Sequence, residues 1–289
     1  MNHRSHNEHA AANPIQHQTD LVFTRMSRYV GRLAKDAKPE NVHRFRTNSR
    51  RLEALVDELA PENGNSKKLL KQLSKLRKRA GKVRDLDVQI AFLKELKIPD
   101  RQNHRAQLLD MLVEEQARRS KKLTKKFDVE KVKRLRKRLR KTEAAVTVDG
   151  IDPLKLALSR LPKPSATPAT QKMLHAARIA AKRARYLAEL AADSPDAKIF
   201  VAELKKAQDE IGHWHDVLKL SERAERLFGG VHDSPLVAAL ANISRARFRR
   251  AANGLHEALK TISDSQPKAP EPPKPKASES AAVAKGAAA

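Results

Sequence analysis

The chain has 289 residues, enough for one large domain or two ordinary ones, and its 60 Lys and Arg against 34 Asp and Glu leave a formal charge of +26. It contains no cysteine, which excludes disulfide staples, thiol catalysis and thiolate metal sites. A pI near 10.4 with only 3% aromatic residues points to a polyanion held by charge and argues against single strands read by base stacking.

Residues 1–15 are polar, rich in His and Asn and without periodicity, so they are expected to be disordered. They have neither the apolar stretch of a signal peptide nor the Arg-rich amphipathicity of a transit peptide, and no later run approaches a membrane span. A cytoplasmic protein is the expectation. Leu21, Val22, Met26, Tyr29, Val30 and Leu33 recur at helical spacing, and this helix should stop near Lys38-Pro39. Pro39 then opens a helix whose stretch Val42–Leu59 sorts into two faces at about 100° per residue. His43, Arg46 and Arg50 share a narrow arc, with Phe45, Leu52, Val56 and Leu59 opposite.

The stretch 66–96 follows, with Leu69, Leu73, Leu76, Ala80 and Val83 as its core stripe and Lys71, Lys75, Lys78 and Lys82 opposite. Residues 103–126 read as a further helix, with Leu108, Leu109, Leu112 and Val113 inside. The segment 130–141 buries only Val132, Leu135 and Leu139 and is otherwise almost wholly cationic. A short amphipathic piece, 151–161, precedes the linker PKPSATPAT. The helix at 173–190 is backed mainly by alanine, and helices at 196–228 and 234–262 complete the fold. The tail 263–289, rich in Pro, Ala and Lys, is expected to be unfolded. No segment alternates as a strand would, so the architecture is all-α, with an ordered region at 16–262.

The two halves of that region, 16–148 and 149–262, repeat one another. VHRFRTNSRR (42–51) matches LHAARIAAKR (174–183) at an offset of 132, and GKVRDLDV (81–88) matches GHWHDVLK (212–219) at 131. Gly81 pairs with Gly212, Val83 with Trp214 and Asp85 with Asp216. This period is far longer than a solenoid repeat. It predicts two helical bundles related by a pseudo-two-fold axis, with the His/Arg stripes facing one cavity.

These motifs carry a resemblance. The run V-H-x-x-R-x-x-x-R-R-L in the first half, V-R-D-L-D-V at 83–88, H-x-x-R-I-x-x-K-R-x-R-Y at 175–186 and D-x-I-G-x-x-H-D at 209–216 together resemble the CHAD family, the histidine-bearing α-helical domain. The likeness spans roughly 20–262. It implies two bundles of about four helices each that bind inorganic polyphosphate in a basic central groove, with targeting to polyphosphate granules as a further implication. Some members are fused to a triphosphatase domain marked by E-x-E-x-K, a motif this sequence does not contain.

Phosphate suits Arg and Lys through charge-assisted hydrogen bonds, bidentate for Arg, and a nearby phosphate favours cationic His. His43, Arg46, Arg50, Arg51, His175, Arg178, Lys182 and Arg183 are therefore assigned to direct phosphate contact. Lys71, Lys75, Lys78, Lys82, Arg84, Arg134 and Arg138 are assigned to the outlying lining. Tyr186 either donates to phosphate or packs between the bundles. Trp214 is read as packing, and Asp85 and Asp216 as forming helix-pairing salt bridges or orienting a cation rather than as acid catalysts. No cofactor or metal is expected, since cations surround His43 and His175, and no catalytic constellation supports an enzyme. The alternative is general nucleic-acid binding, with the tail acting as an arm on DNA phosphates.

Overall fold

Residues 13–162 and 169–265 are described in a computed structural model of the chain, and every regular element among them is helical. The expectations for residues 1–12 and 266–289 fall outside this range. The helices are α1 (Pro14–Lys35), α2 (Pro39–Leu59), α3 (Gly64–Glu95), α4 (His104–Thr124), α5 (Val129–Glu143), α6 (Pro153–Leu158), α7 (Gln171–Ala188), α8 (Pro195–Phe228) and α9 (Pro235–Asp264). A 3-10 turn, Glu189–Ala191, follows α7.

The starts are written in the sequence. Proline stands in the first turn of α1, α2, α6, α8 and α9, where its missing N–H costs nothing. Asn63, Asp128, Thr170, Ser194 and Ser234 each accept from an amide one turn in. The same chemistry corrects the expectation for the N-terminus. Asn13 accepts from the Ile15 amide and Pro14 presets the first turn, so α1 begins before its apolar stripe does and buries Thr19. At the other end α9 runs to Asp264, slightly past the expected 262.

Helices α2, α3 and α4 begin at residues 39, 64 and 104, and α7, α8 and α9 begin at 171, 195 and 235, offsets of 132, 131 and 131. The spacing of the sequence motifs is thus also the spacing of the helices that carry them. In the first half α2 packs on α1 and α3, with α5 against α1 and α3. In the second half α8 lies along α9 and against α7. Phe23, Met26, Phe45, Leu52, Leu69 and Leu73 fill the first interior, where Phe45 meets Phe127 edge-on at 5.5 Å. Each such side chain contributes about 1.5–3 kcal/mol by leaving water.

Besides the turn Glu189–Ala191 and the α6 region lying against the first interior, the halves meet in two places. The C-terminal end of α3 and α4 share a core with α8 and α9, through Leu86, Leu93, Leu108, Leu112, Val217, Leu220 and Leu240. Val113, expected inside, is 45% exposed, because this core takes up only the Leu108/Leu112 side of α4. The second meeting is α2 against α7. Alanines 177, 181 and 184 on the inner side of α7 are buried there or against α6 and α8, short enough to let the helices approach. Trp214 packs edge-on to Phe248 at 5.4 Å, a core role as expected. No described helix is long and apolar enough to cross a membrane.

Candidate anion-binding site

Where α2 crosses α7, the cationic stripes of the two halves come together. Arg46 and Arg50 arrive from α2, and Arg178, Lys182 and Arg185 from α7. Their proximity is felt in their acidities. Burial, followed by the charges of Arg178, Arg50, Arg46 and Arg185, drags Lys182 down to about 7. Burial likewise depresses Arg178, with Asp216 opposing the shift and Arg46 adding to it. Arg50 is lowered by burial too, against the favourable Tyr186 and alongside Arg46, Arg77 and Arg178. Among the described residues no carboxylate reaches ion-pair distance of Arg50, Arg178 or Lys182. Like charges gathered in a partly dry place without matching acids raise the free energy of the empty site and favour an incoming anion.

The acids that are present sit to one side. Arg46 donates to the Gly81 carbonyl at 2.8 Å and to Asp85 at 3.0 Å, which ties α2 to α3. Asp216, the repeat partner of Asp85, lies near Arg178; burial raises its carboxyl, with Arg178 opposing and Asp85 reinforcing. The imidazoles flank the cluster. His43 is lowered by burial and then by Arg84. His175 stands 5.7 Å, ring to ring, from His215, which burial and Arg178 push down to about 4.

Two nominated arginines have other partners. Arg51 grips Glu189 through Nε at 2.6 Å and a second nitrogen at 3.2 Å. Arg183 holds Glu58 through two nitrogens at 3.0 and 2.6 Å, and Asp57 lies 3.6 Å away. Glu58 is almost fully buried and also receives Arg160 at 2.7 Å. Burial disfavours its charge, yet the two arginines hold its carboxyl below the usual range. Arg51 and Arg183 therefore clamp α2 to the α7 region, with two donors each committed to carboxylates and only the remaining N–H groups left to face a phosphate. The clamps are reciprocal: an α2 arginine reaches the second half, and its repeat partner reaches back. Tyr186 is buried beneath them, with Arg185 at 5.0 Å and Arg51 at 5.5 Å from its ring centre. Its ring fits the packing reading, while Tyr186 also neighbours Arg50 and Arg178 of the cluster.

This geometry can be set beside known proteins. The CHAD domain family model matches residues 18–225. The chain belongs to the CHAD domain family. Its fold is similar to the crystal structure of the CHAD domain from the plant Ricinus communis, at 19% identity over 88% of this chain and 91% of that one, with a TM-score of 0.61. It is also similar to PptA from Streptomyces chartreusis, at 14% identity over 87% of this chain and 98% of that one, with a TM-score of 0.59. No curated protein matches the sequence.

Within this CHAD domain the remaining nominated residues spread out. Lys82 and Arg84 adjoin the cluster from α3, on opposite sides of Asp85. Lys71, Lys75 and Lys78 continue outward along the exposed face of α3, and Lys75 borders a small pocket of about 150 Å³ against α5. Arg134 donates to the Glu130 carbonyl of its own helix, and the Arg138 carbonyl accepts from Asn65, so α5 offers both from beyond the α2–α7 crossing. Sequence reasoning missed Arg185 at the crossing and His215 beside it. Both signals were available, since Arg185 stands in the H-x-x-R-I-x-x-K-R-x-R-Y run and His215 occupies the repeat position of Arg84, which was nominated. Lys219 and Arg223 on α8 and Arg119 on α4 were missed as well, because they lie outside both repeated motifs or at their margin.

Proposed function

We propose that this CHAD domain binds inorganic polyphosphate without turning it over, gripping the chain between α2 and α7, and that such binding would recruit it to polyphosphate granules. The observation that carries the reading is the convergence of Arg50, Arg178 and Lys182 without acids to pair them. A flexible string of phosphates needs no shaped pocket, only donors along a path, and guanidinium groups supply two each. His43 at the flank, lowered by burial in the empty site, would be drawn back toward its cationic form as phosphate approaches. The matched helix offsets and the reciprocal clamps support halves related by a two-fold axis, since such an axis makes each contact occur twice.

The test is calorimetric titration of long-chain polyphosphate into the full chain and into a double variant with Arg50→Ala and Arg178→Ala, one change per half. Each charge-assisted bond contributes about 1.5–3 kcal/mol, so affinity should fall by roughly a hundredfold or more with the helical circular dichroism unchanged. Undiminished affinity in the variant would overturn the reading. Duplex DNA displacing polyphosphate at equal phosphate concentration would move it to nucleic acid.

A further inference from the structure

A pocket of about 220 Å³ opens between α3, α4 and α8, immediately beside the α2–α7 crossing. Asp85, which is exposed, and the more buried Asp216 line its side nearest the crossing, the two carboxylates that also neighbour Arg46 and Arg178. From there its wall carries Lys82, Arg119, Lys219, Arg223 and Arg226, five cations against those two acids. Glu115 lies behind the wall, where it takes a bond from Arg223 at 2.6 Å and another from Arg119 at 2.7 Å. Burial disfavours its charge, but these two arginines hold its carboxyl below the ordinary range. A guanidinium has five donors, so this shared carboxylate fixes both arginines in place and leaves further N–H groups to present. Lys219 is half-exposed and tethered only to its helical neighbour Glu222 at 2.9 Å. His215 forms the threshold, with its ring beside His175 on one side and its own wall of the pocket on the other.

We propose that this α3–α4–α8 pocket is a second polyphosphate subsite, into which a chain leaving the α2–α7 crossing turns. The inference rests on the polyphosphate reading above and adds a direction and a length to it. From His215 to Arg226 the path follows eleven residues of α8, about 16 Å of helix. A short oligophosphate fills the crossing alone, whereas a long chain occupies both stations. The alternative route, outward along Lys71, Lys75 and Lys78, lies on an open helix face where exposed charges are screened and mobile. The pocket holds its cations on three helices around one concavity, and a common ligand there meets several at once.

The experiment compares tripolyphosphate and long-chain polyphosphate on the full chain, on a Lys219→Ala/Arg226→Ala variant and on a Lys71→Ala/Lys75→Ala variant. The α8 pair should lose roughly tenfold or more in long-chain affinity while binding tripolyphosphate as the parent does. The α3 pair, with the same change in net charge, should lose much less on the long chain. The subsite is overturned if the α8 variant keeps long-chain affinity, if both variants lose it equally, or if tripolyphosphate weakens in parallel. If the parent binds neither polymer, the failure belongs to the polyphosphate reading itself. Both altered positions on α8 are exposed or half-exposed, and unchanged thermal unfolding checks that the fold is intact.

Discussion

The α2 and α7 stripes are two copies of one motif that have taken different duties. On α2, Arg46 is anchored to the Gly81 carbonyl and to Asp85. Its repeat partner on α7, Arg178, has a buried Nε without a hydrogen-bond partner, and the partner glycine Gly212 has open space around it. The neighbours on the stripe diverge as well, with Arg50 on α2 matched by Lys182 on α7. One copy holds helices together, and the other keeps its donors uncommitted. The sequence presents two matched stripes, and local contacts decide which keeps its donors free.

The widest separation between the copies should appear in single truncations. Arg178→Ala should cost polyphosphate affinity about tenfold or more, since an uncommitted charge is lost outright. Arg46→Ala should cost less affinity but more stability, by about 1 kcal/mol, because it breaks the tie from α2 to α3. Titration and thermal unfolding on the same two proteins separate the effects. Equal losses in both measurements would erase the distinction.

The next contrast is one of protons. An arginine at position 50 stays charged at any physiological pH, whereas Lys182 in the empty protein gives up its proton near 7. Burial, followed by four guanidinium groups, favours its neutral form, and Asp216 nearby has its own carboxyl pushed up by burial. A bound polyanion restores the ammonium, so binding takes up a proton and affinity should decline as pH rises above 7. That decline is at most about tenfold per pH unit from this one group. Lys182→Arg should flatten the profile while retaining affinity, and calorimetry in buffers of different ionisation enthalpy should show less proton uptake. The sign for folding is opposite. The unfolded chain holds the Lys182 proton up to its ordinary 10.5, so the ligand-free protein gains stability as pH rises from about 7 toward that value.

The smallest effect concerns the paired glycines. Gly212→Ala should stabilise by about 0.5–1 kcal/mol, the ordinary gain of removing a mid-helix glycine, with unchanged binding. Gly81→Ala should gain a similar amount, because the new methyl would meet the Arg46 guanidinium at 3.5 Å, an ordinary contact distance. Paired melting curves check that the two gains match.

Most of the fold was legible because helices announce themselves locally. Apolar residues at 3.6 spacing marked the bodies of α1 to α5 and α7 to α9, and Pro39 marked the start of α2. The polar first turns of α1 escaped because Gln16 to Asp20 carry no apolar stripe, and their order comes from Asn13, Pro14 and buried Thr19. At the site, the repeat offset was enough to nominate Arg46, Arg50, Arg178 and Lys182 together. It could not separate Arg50 from Arg51, or Lys182 from Arg183. One residue along a helix turns the side chain by about 100°, and the carboxylate waiting there is 138 residues away for Arg51 and 125 for Arg183. Long-range ion pairs of that kind leave no periodicity in the sequence. The exposed Val113 has a related cause, since the width of the face that α4 buries depends on α8 and α9.

Leu190, just past α7, is buried in the interior built by α1, α2, α3 and α5, and Ile151 and Leu156 rest on the same mass. Leu156 also touches the interior of the second half. A repeat boundary is thus not a folding boundary: severed near residue 149, each fragment would expose a cavity that only the other can plug. The protein should melt as one cooperative unit, and a stray proteolytic nick between its repeats would leave two pieces still held together.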